Sequence, residues 1–204
     1  MDGFRAVVEW RDPRFKAVMA LAERCEYERG HSQQVTYLAL RLFDELAALH
    51  DLNDEARFWL QCAAVLHDIG WLEGQSQHHK TSLALILDAL AFPFDARERL
   101  IIGSIARYHR KALPSQRHEH FAALNPADQA TVRVLAALLR VADGLDRTHY
   151  NVVRDLSCEV LPDLIIVHCD VHQPAHAEQQ VAWEKGDLLA QVFDRRLFIK
   201  CYAR

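Results

Sequence analysis

Four polar residues stand where a helical protein would place carbon: His31, the adjacent pair His67 and Asp68, and Asp143 within AALLRVADGLD. Asp143 follows Leu139 by four positions and Leu135 by eight, on a segment that is apolar on nearly every side. An unpaired carboxylate there would be strongly destabilising, so something positive has to meet it. Two imidazoles and two carboxylates can together hold a divalent cation, and manganese, iron, magnesium and zinc all accept such nitrogen and oxygen donors. Any one of these histidines taken alone also fits a hydrogen-bonded core residue. The joint pattern favours ligation, because buried charge is rare.

Two further histidines extend the set: His79 in QHHK, and His109 in RYHRK, in line with Ile101, Ile102 and Ile105. With Asp68 bridging, they would hold a second cation. Two cations about 3.5 to 4 Å apart activate water and stabilise the attacking and leaving oxygens of phosphoester hydrolysis. The alternative makes His78 and His79 loop residues and His109 a cation favoured by a helix C-terminus. Basic side chains cluster nearby, with Lys80 beside His79, Arg110 and Lys111 beside His109, and Arg147 one turn beyond Asp143. These four, with Asp68, form the expected catalytic group, the cations gripping phosphate oxygens. The chain has no GxxxxGK[ST] or GxGxxG loop, so phosphate has to be held by metal and side chains.

Helices must position these groups. Asp12-Pro13 reads as a cap and first helical position, and a first helix ends before Gly30. From His31 to about Leu49 the apolar residues Val35, Leu38, Ala39, Leu42, Phe43 and Leu46 recur at three and four, with His31 on their face. Asp54 to about His67 is a third helix, and its second half CAAVL is apolar all round. Thr81 to Ala91, Ala96 to His109 and Ala127 to Asp146 follow as helices, with Arg110 to Pro126 as a loop. After Tyr150 the period changes: LSCEVLPDLIIVHCDVH reads as a hairpin turning at Pro162-Asp163. The hairpin would bring Cys158 and Cys169 together as packing thiols. Ala177 to Phe193 reads as a helix and RLFIKCY, Arg196 to Tyr202, as a final edge strand that a second copy of the chain can pair with. The expected fold is therefore mainly α: a helical bundle over residues 1–150, with a small α+β appendage of hairpin, helix and strand over 151–204.

A second His-Asp pair, His50-Asp51, also closes an apolar run. It lies nineteen residues after His31 on the same expected helix, roughly 28 Å away. One ion cannot reach both, so Asp51 reads as part of a turn between helices.

Half of the 204 residues are hydrophobic and a quarter charged, enough to bury one sizeable core. A net charge of -4 and a pI near 6.3 argue against nucleic-acid binding. Five widely spaced cysteines without a CxxC pair do not read as a disulfide framework. No run approaches the ~20 apolar residues of a membrane span. The expectation is a cytoplasmic protein.

The order of His31, LHDIG at Leu66 to Gly70, and Asp143 resembles the HD-domain metal-dependent phosphohydrolases. The segments AAVLHDIGW, QHHKTS, IARYHRKALP and LAALLRVADGLDRTH resemble the HD-like C-terminal domain of exopolyphosphatase and guanosine pentaphosphate phosphohydrolase relatives, from about residue 15 onward. The resemblance implies an HD-type bundle with His31, His67, Asp68 and Asp143 as metal ligands, and His79 and His109 as candidates for a second ion. It departs in having Thr81 where many such domains carry another histidine. Those enzymes also have an actin-like phosphatase domain with no counterpart here, so polyphosphatase activity does not follow. Trp71 replaces the lysine that follows HDIG in cyclic-di-GMP phosphodiesterases, which disfavours that substrate. The expectation is a stand-alone phosphohydrolase acting on a phosphomonoester or phosphodiester, nucleotide-like or polyphosphate-related. The alternatives are a non-catalytic module that binds metal and a phosphorylated ligand, and oxygen chemistry at a di-iron centre.

Overall fold

Asp12 and Pro13 begin a helix because the Asp12 carboxylate accepts the Arg14 N–H, and proline fills a position whose own N–H would go unused. In the computed structural model, which describes residues 2–74, 77–89 and 92–203, this helix is α2 (Pro13–Arg24), preceded by α1 (Asp2–Val7). Next come α3 (Arg29–Glu45), α4 (Ala47–His50) and α5 (Asp54–Leu66), the last capped by the Asn53 side chain. A 3-10 turn (Ile69–Glu73) leads to α6 (His78–Asp88). A reciprocal capping box between Asp95 and Glu98 opens α7 (Ala96–Arg107). After α8 (Glu119–Ala122) and α9 (Pro126–Gly144), the chain forms β1 (Val153–Leu161), β2 (Leu164–Val171), α10 (His176–Lys185), α11 (Asp187–Phe193) and β3 (Arg196–Ala203). The protein is mainly α with a small C-terminal α+β part, as its periodicities indicate.

The core is a ring of four helices in which α3 and α7 each pack on both α5 and α9. Leu38 and Leu42 of α3, Leu60 and Ala64 of α5, Ile102 and Ile105 of α7, and Leu135 and Leu139 of α9 are all fully buried in it. Outside the ring, α6 packs on α7, while α10 and α11 lie against α9. The sheet has the order β1-β2-β3, antiparallel in its first pair and parallel in its second. Its β1 edge rests on α3, where Tyr37 Oη and Arg41 Nε both donate to Asp155 at 2.8 Å. The β3 edge exposes Phe198 and Tyr202.

Four local differences from the sequence reading have physical causes. The helix expected over 31–49 divides at Leu46, and Asp51 closes its second piece in a left-handed conformation. His50 serves that turn, its Nε2 2.9 Å from the Phe43 carbonyl and its Nδ1 accepting the Leu52 N–H. The helix expected over 177–193 divides at Gly186, where the Leu197 side chain occupies the place of a Cβ. Cys169 is registered opposite Leu156 and Cys201, with Cys158 opposite Val167, and all five cysteines are free thiols. Finally, α6 starts at His78 rather than Thr81, because Gln77 adopts a left-handed φ of 65° and turns the chain into the helix early. The expected end of that helix at Ala91 lies outside the described residues. No helix among the described residues is long and apolar enough to cross a membrane.

Candidate metal centre

The ends of the core helices bring the sequence-predicted polar residues together. His31 lies in the first turn of α3, His67 and Asp68 directly follow α5, His109 follows α7, and Asp143 is in the last turn of α9. His31 Nε2 is 3.3 Å from His67 Nε2 and 3.4 Å from Asp143 Oδ1. Asp68 Oδ2 stands 3.5 Å from His67 Nε2 and 3.9 Å from His31 Nε2. The other oxygen of Asp68, Oδ1, is 3.0 Å from His78 Nε2 and 3.3 Å from His109 Nε2, and those nitrogens are 3.4 Å apart. Asp68 thus gives one oxygen to each of two donor groups.

What suits these residues to holding a cation is the direction of the lone pairs. His67 Nδ1 donates to the Ala64 carbonyl and His109 Nδ1 to the Ala106 carbonyl, each at 2.7 Å. His31 Nδ1 lies 2.8 Å from Asp146 Oδ2. Carbonyls and carboxylates only accept, so the proton of each ring is on Nδ1 and a neutral ring presents a lone pair at Nε2. Such outer partners are the usual orienters of metal-binding imidazoles. Burial depresses His67, and takes His109 down to about 3 despite Asp68 and Asp143, so these two rings stay neutral. Burial opposes charging of His31 too, but Asp143 and Asp146 outweigh it and raise the ring to about 10. One imidazolium proton cannot satisfy so many converging lone pairs and carboxylate oxygens. The donor set fits two divalent cations: His31, His67 and Asp143 can hold one, His78 and His109 the other, with Asp68 between.

Residues 14–185 match the family described as Ppx/GppA phosphatase, domain III. The chain belongs to this family. No curated protein is matched by its sequence. The region shared with the Ppx/GppA domain III family runs from α2 to the end of α10 and contains every residue of the double donor set.

A cavity of about 170 Å³ opens onto the donors. Arg110 and Arg147 line it, and Arg110 Nη1 is 3.3 Å from His78 Nε2. Lys80 and Lys111 do not line it. Lys80 is exposed two residues past His78, roughly 200° around the helix; Lys111 is exposed on a left-handed turn. The same geometry sets His78, and not the expected His79, beside Asp68. Because α6 starts early, successive residues point about 100° apart, and His78 rather than His79 meets Asp68. Among residues the sequence did not single out, Lys185 of α10 ion-pairs with Asp143 Oδ2, and His149 stacks on His31 at 3.8 Å. Asp146 had a signal, lying three after Asp143 on one helical face. Lys185 had none.

His78→Gln is accordingly expected to leave the chain binding one cation fewer than His79→Gln, which should match the unmodified protein. Elemental analysis after dialysis against each metal reads this directly. Equal loss in both variants would put the second group elsewhere.

Proposed function

We propose that the chain is an HD-type metal-dependent phosphohydrolase that cleaves a phosphomonoester or phosphodiester. The observation that carries this reading is the pair of donor groups sharing Asp68, with the Nε2 atoms of His31, His67 and His109 directed inward. When bound, divalent cations there would polarise phosphate oxygens and lower the pKa of water. The chain's own residues do the rest. Asp146 and the Ala64 and Ala106 carbonyls fix the imidazole tautomers. Arg110, Arg147 and Lys185 offer cationic donors on the cavity wall for the non-reacting phosphate oxygens.

The neighbouring space bears on the substrate. A second cavity of about 340 Å³ also reaches Asp68 and is walled by Tyr27, Trp71 and Leu72, with Glu26 and Glu28 at its margin. Trp71 is 44% exposed and stacks on His78. Aromatic and aliphatic walls suit an uncharged, planar organic group, and the two carboxylates would repel a run of further phosphates. This supports a phosphate ester with an organic, nucleotide-like leaving group over a long polyphosphate.

The test is a metal-depleted chain reconstituted separately with manganese, iron, magnesium and zinc, and assayed on nucleoside monophosphates, an aryl phosphodiester and polyphosphate. Chelator-sensitive release from an ester is the expected result. Cation binding at both groups without turnover of any ester would overturn it. One observation favours a second reading, a metal- and phosphate-binding regulatory module: Lys185 already compensates Asp143. Stoichiometric nucleotide binding without product would select that reading.

A further inference from the structure

Beside the metal centre, but not lining its cavity, lies a group of hydrogen-bond donors without an acceptor. Arg107, at the end of α7, is only 6% exposed, and its Nη1 is enclosed with no hydrogen-bond partner among the described residues. No carboxylate among the described residues pairs with it. Buried guanidinium groups are normally paired. Arg140 shows the ordinary arrangement, donating to Asp187 at 2.8 Å and to the Tyr108 carbonyl at 3.2 Å.

The surroundings of Arg107 add donors rather than acceptors. Ser104, one turn earlier on the same face of α7, places its Oγ 2.9 Å from His120 Nδ1. Tyr108 Oη lies 2.8 Å from His118 Nδ1. Burial pushes the phenol up to about 12, so it keeps its proton and donates, which leaves the His118 proton on Nε2. The Ser104 hydroxyl is able to donate to His120 Nδ1 in the same sense. The two imidazoles stack with centroids 5.8 Å apart and planes 4° from parallel, and neither Nε2 has a partner among the described residues. The Tyr108 ring gathers the three groups, with Arg107 Cζ 5.8 Å from its centroid and the His118 and His120 rings 5.6 and 5.3 Å from it; burial, and next the Arg107 charge, depress both imidazoles. Glu119, between the two stacked histidines, is exposed and joins no hydrogen bond or ion pair of this group among the described residues.

We propose that Arg107, His118 and His120 form an oxyanion site separate from the metal centre that takes a phosphate group. A guanidinium fork and imidazole N–H groups are charge-assisted donors to such an anion. The phosphate is either free inorganic phosphate or a pendant group on a larger molecule. The site does not depend on hydrolysis and goes beyond the reading above.

The experiment follows histidine ring ¹H–¹⁵N signals of the chelator-treated full chain during titration with inorganic phosphate and, separately, with a nucleoside monophosphate. Saturable shifts of His118 and His120 are expected, with the midpoint raised at least about tenfold in Arg107→Gln, the scale of losing one charged hydrogen bond. Should Arg107→Gln fail to fold, the His118→Gln, His120→Gln double variant at partly exposed positions replaces it, with phosphate affinity read by calorimetry and expected to fall by a similar factor. Tighter binding of free phosphate assigns the site to the free ion, and tighter binding of the monophosphate assigns it to a pendant group. No saturable shift with either probe, or an unchanged affinity in the folded variants, overturns the proposal.

Discussion

Asp68→Asn is expected to lower kcat/KM for phosphoester hydrolysis by at least about a thousandfold, equivalent to about 4 kcal/mol of transition-state stabilisation. It should also strip cations from both donor groups. The expectation rests on symmetry: Asp68 Oδ2 faces His31 and His67, while Oδ1 faces His78 and His109. Asparagine keeps the shape but has one acceptor and one donor. Whichever way the amide turns, an N–H points at nitrogens whose lone pairs face inward, and the negative charge is gone. Metal content by elemental analysis and steady-state kinetics on the best ester form the check. Full occupancy with activity within tenfold of the unmodified chain would remove Asp68 from the bridging position.

Much of this centre is legible in the sequence because it violates the pattern around it. His31, Asp143 and His109 interrupt faces that the three-and-four spacing marks as buried, and His67-Asp68 closes an apolar helix. Each is visible as a polar group that burial would penalise unless something opposite stabilised it. The choice between His78 and His79 is a different kind of question. It depends on the phase of α6, and that phase is set by a left-handed φ at Gln77, a residue type that gives no sign of it. The same phase decides the fate of Lys80. Arg147 follows from its spacing after Asp143, since α9 and the turn after it are continuous with a well-marked helix. Lys185 is not readable locally. Its arrival depends on α10 packing so closely on α9 that the Ala182 Cα stands 2.6 Å from where a Cβ on Gly144 would lie, and that approach is a property of the assembled fold. The strands are marked by composition, but the parallel pairing of β2 with β3 is fixed by the α10–α11 crossover, which no single segment encodes.

Gly70→Ala should separate the two donor groups. Gly70 has no need of an unusual backbone conformation; it is required by space. A Cβ there would lie 2.1 Å from the His78 carbonyl oxygen and 2.7 Å from the Ser82 amide nitrogen, both backbone atoms that no rotamer change can move. The contact is part of a clasp, in which the Gly70 N–H donates to Ser82 Oγ at 3.0 Å and that hydroxyl donates to the His67 carbonyl at 2.8 Å. Relief requires the start of α6 to retreat by about 1 Å, carrying His78 away from Asp68; overpacking of this kind costs about 1–3 kcal/mol, and a misplacement of about 1 Å at a reacting centre can cost about a hundredfold in rate. The group of His31, His67 and Asp143 is held by α3, α5 and α9 and should keep its cation. Gly30→Ala is the matched control. It lies beside His31 in α3 with nothing within 4 Å of its new Cβ, so the substitution should preserve both cations and stabilise the helix by about 0.5–1 kcal/mol. Thermal unfolding and metal content of the two variants decide the matter. If Gly70→Ala keeps both cations and an unchanged Tm, the clasp does not position His78, and the packing of α6 on α7 sets the geometry of the second group.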